Sequence, residues 1–307
     1  MKISVIQKIA ASAIISLGAI ATALPAQAGS LINGWSYARD DYSYDGQDGG
    51  NLSQTSNYDI YGIGIKQVNN TLFVGINASM PLTGIPHANT TNNNIGWGDL
   101  FLDFNYGKAG NNFATAQRSM IGIRFSATND SSAPTTGVYT GVTGKAVAGS
   151  NSGFSNLDHY ANNTPNAVIG DLAINDPYFA PYQSAPVPNE IGKYSSKIGE
   201  VTQLSVAELA SLPGIQAPNG STHPNRFGFK FDLPSSYTGN FLGSLFLECI
   251  NDSVAIKGNV RHLYLLRSLV FSRQVLLVDG VLQNAKNNLK QLQLSQKWGG
   301  RAAIVAA

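Results

Sequence analysis

Apolar and polar positions alternate with a period of two over several short stretches of this chain, the pattern of strands that bury one face. Residues 60–65 place Ile60, Gly62 and Gly64 on one side and Tyr61, Ile63 and Ile65 on the other. Val68-Asn69-Asn70 supplies a turn and 71–76 returns, which predicts a hairpin. Within 99–104, Leu100, Leu102 and Phe104 share a core face, while Asp99, Phe101 and Asp103 share an outward polar face. Ile121, Ile123 and Phe125 mark a further strand, 138–147 one or two more, 227–231 another, and 242–249 the last. Residues 31–60 read as a polar opening segment, and 149–195 as one long connection rich in Asn, Pro, Gly and Tyr. Ser205-Val206-Ala207-Glu208 has capping-box spacing ahead of a short helix that Pro213 stops. Many short strands with Asn and Gly turns and a single short helix predict a mainly β, single-domain, β-sandwich or jelly-roll-like fold with long Asn/Gly/Pro-rich loops.

The first 28 residues break this pattern. Lys2 and Lys8 precede an apolar run from Ile9 to Leu24, Pro25 ends it, and Ala26-Gln27-Ala28 has the small-x-small form of a signal-peptide cleavage site. The run is too short and too rich in small residues for a membrane span. The chain is therefore expected to be secreted or held at the cell surface. Its layout reads as a signal peptide over 1–28, a β domain over 29–260 and an atypical basic tail over 261–307.

Charge supports that division. Charged residues make up only 12% of the chain, and the net charge of +2 conceals an acidic body with 17 Asp and Glu against 11 Lys and Arg over 29–260. The tail has seven basic residues against Asp279 alone. An acidic body argues against a nucleic-acid partner. Beyond Val260 there is no Pro and no Thr, and Arg267, Arg273 and Asp279 interrupt the apolar run over 263–282, so no transmembrane anchor is expected there. Cys249 stands alone, which excludes an internal disulfide and reads first as a buried small hydrophobe.

Three stretches bear a family likeness: Gly34-Trp35-Ser36-Tyr37-Ala38-Arg39-Asp40-Asp41; the run from Tyr58 through Met80-Pro81-Leu82-Thr83-Gly84 to Asn94-Ile95-Gly96-Trp97-Gly98-Asp99-Leu100-Phe101-Leu102-Asp103-Phe104; and Leu245-Phe246-Leu247-Glu248-Cys249-Ile250-Asn251-Asp252. Together they resemble cyanobacterial exosortase-dependent surface proteins, a PEP-CTERM-like sorting class, in a group named for an Asp-Asp motif. The resemblance covers about residues 30–260. It implies export and processing by exosortase-type sorting machinery at a C-terminal tail, and it brings no catalytic residues. The expected Pro-x-Pro tail is missing after Val260, where the composition switches. That switch reads as a tail out of frame, with a genuine variant end as the alternative.

Asp41, Ser43, Asp45 and Asp48 surround Gly46 with oxygens at alternate positions, as at the start of a calcium loop. A solvated acidic turn is the plainer reading. Calcium is the one cofactor these residues suggest, and no other is expected. Trp97, Tyr178 and Tyr182, with Trp35 and Phe179, are candidates for stacking on sugar rings, packing being the alternative. Asp99 and Asp103 have the residue types for glycoside hydrolysis but are already explained by an outward polar face. His87, His159, His223 and His262 lack metal-site spacing, and no nucleophile elbow or phosphate-binding glycine motif is present. The leading expectation is a non-enzymatic surface or extracellular-matrix protein with a structural or adhesive role, with extracellular polysaccharide as a partner. A carbohydrate-binding module, calcium-assisted, is the alternative, and a secreted glycoside hydrolase the second alternative.

Overall fold

The computed structural model describes residues 30–40, 46–48, 51–52, 56–164, 167–213 and 225–261. The expected signal peptide and the tail beyond Arg261 lie outside the described residues.

Two antiparallel sheets face each other. The first runs β1 (Ser30–Ile32), β2 (Trp35–Arg39), β3 (Ile60–Val68), β4 (Thr71–Ala78), β11 (Asn225–Asp232), β10 (Thr202–Gln203). The second runs β8 (Glu190–Lys193), β7 (Gly137–Lys145), β6 (Met120–Arg124), β5 (Leu100–Asp103), β12 (Gly239–Phe246), β13 (Ser253–Val260), with β9 (Ser196–Gly199) also paired to β7. The fold is a mainly β single-domain sandwich, as the alternation predicts. Between the sheets lie Ile63, Ile65, Val74, Ile76, Phe229 and Phe231 from the first and Leu100, Leu102, Ile121, Ile123, Leu245 and Ile256 from the second. Burial of this apolar interior is the main force holding the sheets together. No helix among the described residues is long and apolar enough to cross a membrane.

Both outer faces are covered in part. Ser205 caps α2 (Val206–Leu209) in the capping box its spacing predicts. The segment after α2 lays Leu212 over β3 and β4, beside Trp35 and Tyr37. Gly64 and Gly75 sit opposite each other in the sheet. A Cβ at either would stand 2.8 or 2.6 Å from Leu212, so the missing side chains are what admit it. The second sheet's outer face carries Phe101, Tyr139, Val142, Ile191, Leu242 and Phe246 beneath Phe113, Leu157, Tyr178 and Phe179. The segment expected to be one long loop is thus a packed third layer. It contains α1 (Leu157–Asn163), capped by Asn156, a 3-10 turn over Pro177–Tyr182, and β8 at its end.

Four expectations are corrected. A register shift between Ile60 and Gly62 returns Ile60 to the same core as Ile63. The opening segment contains β2, whose Trp35, Tyr37 and Ala38 are buried. The chain forms a second short helix, α1. And 242–249 is not the last strand, because the chain turns at 248–252 and returns as β13 along the whole of β12.

Candidate functional site

Asp99 and Asp103 do not face water. The layer over the second sheet buries them, leaving 0% and 1% of their surface exposed. Asp99 accepts from Asn129 Nδ2 (2.9 Å), Ser131 Oγ (2.6 Å) and the Ile191 amide (2.7 Å). Burial raises its pKa, partly offset by those donors and by Arg124. Asp103 accepts from the Asn105 amide (2.8 Å) and the Tyr178 hydroxyl (3.0 Å). Carboxylates so enclosed act as staples between strand and cover. Replacing Tyr178 by Phe removes one of these bonds, and the expected loss of stability is about 1–3 kcal/mol. Chemical denaturation reads it, and an unchanged midpoint would show the bond to be idle.

Two of the three stretches that carry the family likeness meet in space. The Gly96 amide donates to Glu248 Oε2 (2.5 Å), and the Glu248 amide donates to the Gly96 carbonyl (3.0 Å). Trp97 bridges to Leu247, and the Gly98 amide donates to Phe246 O (2.9 Å). Asp252 Oδ2 accepts from the Ile60 amide (2.5 Å), tying the turn after β12 to the first sheet. Cys249 is buried, and its thiol is pushed up to about 12 by that burial, as suits an inert core residue.

Glu190 lies in this region, fully buried on β8 opposite Lys145. No N–H or O–H group among the described residues reaches either of its carboxylate oxygens. It faces Glu248, whose own oxygens accept from the amides of Gly96 and Asp130 (2.7 Å). Two contacting carboxyls cannot both ionise in a dry interior. Burial, with the charges of Asp99, Glu248 and Asp130, drives Glu190 far above the usual carboxylate range. The amide donors favour the ionised form of Glu248, so the shared proton belongs to Glu190. Among the described residues no three His, Cys, Asp or Glu side chains are arranged to hold a metal ion.

The aromatic candidates are placed apart. Trp97 is a core residue with none of its surface exposed. Its Nε1 donates to Pro81 O (2.9 Å), and it packs against Phe125 and Phe227 at 6.2 and 5.2 Å between ring centroids. Tyr178 is buried over Phe113 and Phe179. Neither ring offers a face to a sugar, which corrects the stacking expectation for both. Tyr182 is half-buried with its ring 5.7 Å from Phe113. Of the calcium candidates, Asp41 and Asp45 lie outside the described residues. Asp48 enters only through its backbone, which pairs with Asn51.

An open groove of about 520 Å³ lies along the β7–β8 edge of the second sheet. Its walls are Arg118, Thr143, Lys145, Lys193, Tyr194 and Ser195, and Gly141, Gly144 and Gly192 contribute no side chains to it. Arg118 and Lys193 are exposed, and Lys145 is half-buried with its Nζ bonded to the Asp130 carbonyl. Arg118 adopts a left-handed backbone (φ +73°), held by its amide donating to Val142 O (2.7 Å). Tyr194 is 39% exposed and braced edge-on by Tyr139, 4.8 Å between centroids. No motif in the sequence marks these residues. The paired Gly144-Lys145 and Gly192-Lys193 dipeptides hinted at them, but only strand pairing shows that they are neighbours.

The chain matches no protein-family model, no curated protein and no solved structure.

Proposed function

We propose that this is an exported, non-catalytic protein of the cell surface or extracellular matrix, with a structural or adhesive role. The observation that carries this reading is the enclosure of Asp99 and Asp103. The only acid pair whose spacing suggested hydrolysis is spent on internal hydrogen bonds, whereas glycoside hydrolysis needs two carboxyl groups flanking a substrate in a cleft. The signal-like N-terminus and the family resemblance support export. Exosortase-type machinery is the sorting partner on that reading, if the native gene supplies the tail. The cationic groove favours carbohydrate binding as the second reading, because it offers a surface for adhesion where Trp97 and Tyr178 do not.

Expression in a producing cell tests this directly. The expected product begins at Gly29, fractionates with the surface or polysaccharide material, and hydrolyses no glycan. Retention in the cytoplasm, or a glycosidase activity abolished by Asp99→Asn, would overturn the proposal.

A further inference from the structure

We infer that the groove along the β7–β8 edge binds an acidic polysaccharide, with Arg118 and Lys193 gripping carboxylate groups and Tyr194 lying against a sugar ring. The choice of polysaccharide over other polyanions rests on the exported, adhesive reading above. The charge itself is visible without it.

Three cationic side chains line the groove and no acidic one does, in a body with 17 acidic residues against 11 basic. Most other described cations are engaged. Lys197 pairs with Glu200 (2.7 Å) and Lys230 with Glu208 (2.5 Å). Lys66 and Lys257 lie over the rings of Trp35 and Tyr106, and Lys108 donates to Asn105. Arg124 is buried and spends its guanidinium on the 126–133 turn. The side chains of Arg118 and Lys193, by contrast, have no hydrogen-bond or ion-pair partner among the described residues. A cation pair of this kind in a concave site focuses positive potential on whatever enters it. Lys145, bonded to the Asp130 carbonyl, contributes a weaker share. The acids behind the groove are turned into the fold, where Asp99 accepts from Asn129, Ser131 and Ile191, Asp130 from Asn151, and Glu248 from the amides of Gly96 and Asp130.

The remaining lining fits a sugar chain. A guanidinium offers paired N–H donors that match a carboxylate. Thr143 and Ser195 supply hydroxyls. Tyr194, held by Tyr139, presents an amphipathic ring of the kind that packs on the C–H face of a pyranose.

The test is titration of the full chain with three probes of matched length: a polyuronate oligosaccharide, a neutral glucan and single-stranded DNA, each at low and high salt. The polyuronate is expected to bind, to weaken as salt rises, and to lose about tenfold in affinity in Arg118→Ala/Lys193→Ala, with Tyr194→Ala weakening it separately. Both variants change exposed side chains, so unchanged melting temperatures confirm that they fold. The inference is overturned if the double variant binds polyuronate as the wild type does, if DNA binds more tightly than polyuronate, or if polyuronate does not bind. Failure of polyuronate alongside retention on the native matrix would remove the groove and leave the adhesive reading standing. Polyuronate binding by a chain that is never exported would do the reverse.

Discussion

Trp97→Ala is expected to lower stability by about 3–5 kcal/mol, the usual cost of emptying a large aromatic site in a core. Trp97 is fully buried between the two sheets, edge-on to Phe227 and tilted against Phe125, and its indole N–H satisfies the Pro81 carbonyl. The variant loses the ring contacts and leaves that carbonyl without its indole donor. Domains of this kind are stable by about 5–15 kcal/mol, so the loss is a large share of the whole. Urea unfolding at constant m-value measures it. A variant within 1 kcal/mol of the wild type would show the site to be plastic. The same protein separates packing from recognition: the folded variant should bind polysaccharide as the wild type does, because the ring never meets the surface.

Glu190→Gln should stabilise the protein, and increasingly so as pH rises. Its carboxyl has a folded pKa far above the ordinary 4.5, chiefly because it is buried and next because Asp99 and Glu248 are near. A raised carboxyl pKa means that the folded state holds a proton that the unfolded chain has already released. Stability from this group is therefore greatest below about pH 4.5 and declines as pH climbs, with a limiting slope of about 1.36 kcal/mol per pH unit for one proton. Gln keeps the shape, donates to Glu248 without needing a proton, and removes that slope. Asp59, pushed up to about 6 by burial, and Asp99, raised by burial, run in the same direction. Glu208, held down to about 2 by Lys230 and Ser205, has the opposite sign but acts below the ordinary glutamate range. The wild type should therefore melt higher at pH 5 than at pH 8, and the gain from Glu190→Gln should be small at pH 5 and large at pH 8. Parallel melting curves for the two proteins across this range would show that no proton is shared.

The strands were legible wherever one face is apolar and the other is not. Leu100 and Leu102, Ile121 and Ile123, and Phe229 and Phe231 all entered the core as the alternation required. The reading failed where a third layer intervenes. Asp99, Phe101 and Asp103 alternate with leucines just as residues on a solvated face would, and no local signal distinguishes water from a cover that includes Phe113, Leu157, Tyr178 and Phe179. The break at Ile60 is also a tertiary matter, since one extra residue in β3 reverses the face.

The chemistry divides along the same line. The order of residues by itself determined an export-like N-terminus, a mainly β body, a lone core cysteine and the capping box of α2, because each depends on neighbours within a few positions. Only the folded chain decided that Trp97 and Tyr178 are structural, that Glu190 meets Glu248, and that Arg118, Lys145 and Lys193 share a groove. Those pairs lie 58 and up to 75 positions apart, and antiparallel pairing and the closing of two sheets bring them together. Burial then decides the chemistry of the acids, since a carboxyl enclosed without hydrogen-bond donors, as Glu190 is, favours its protonated form.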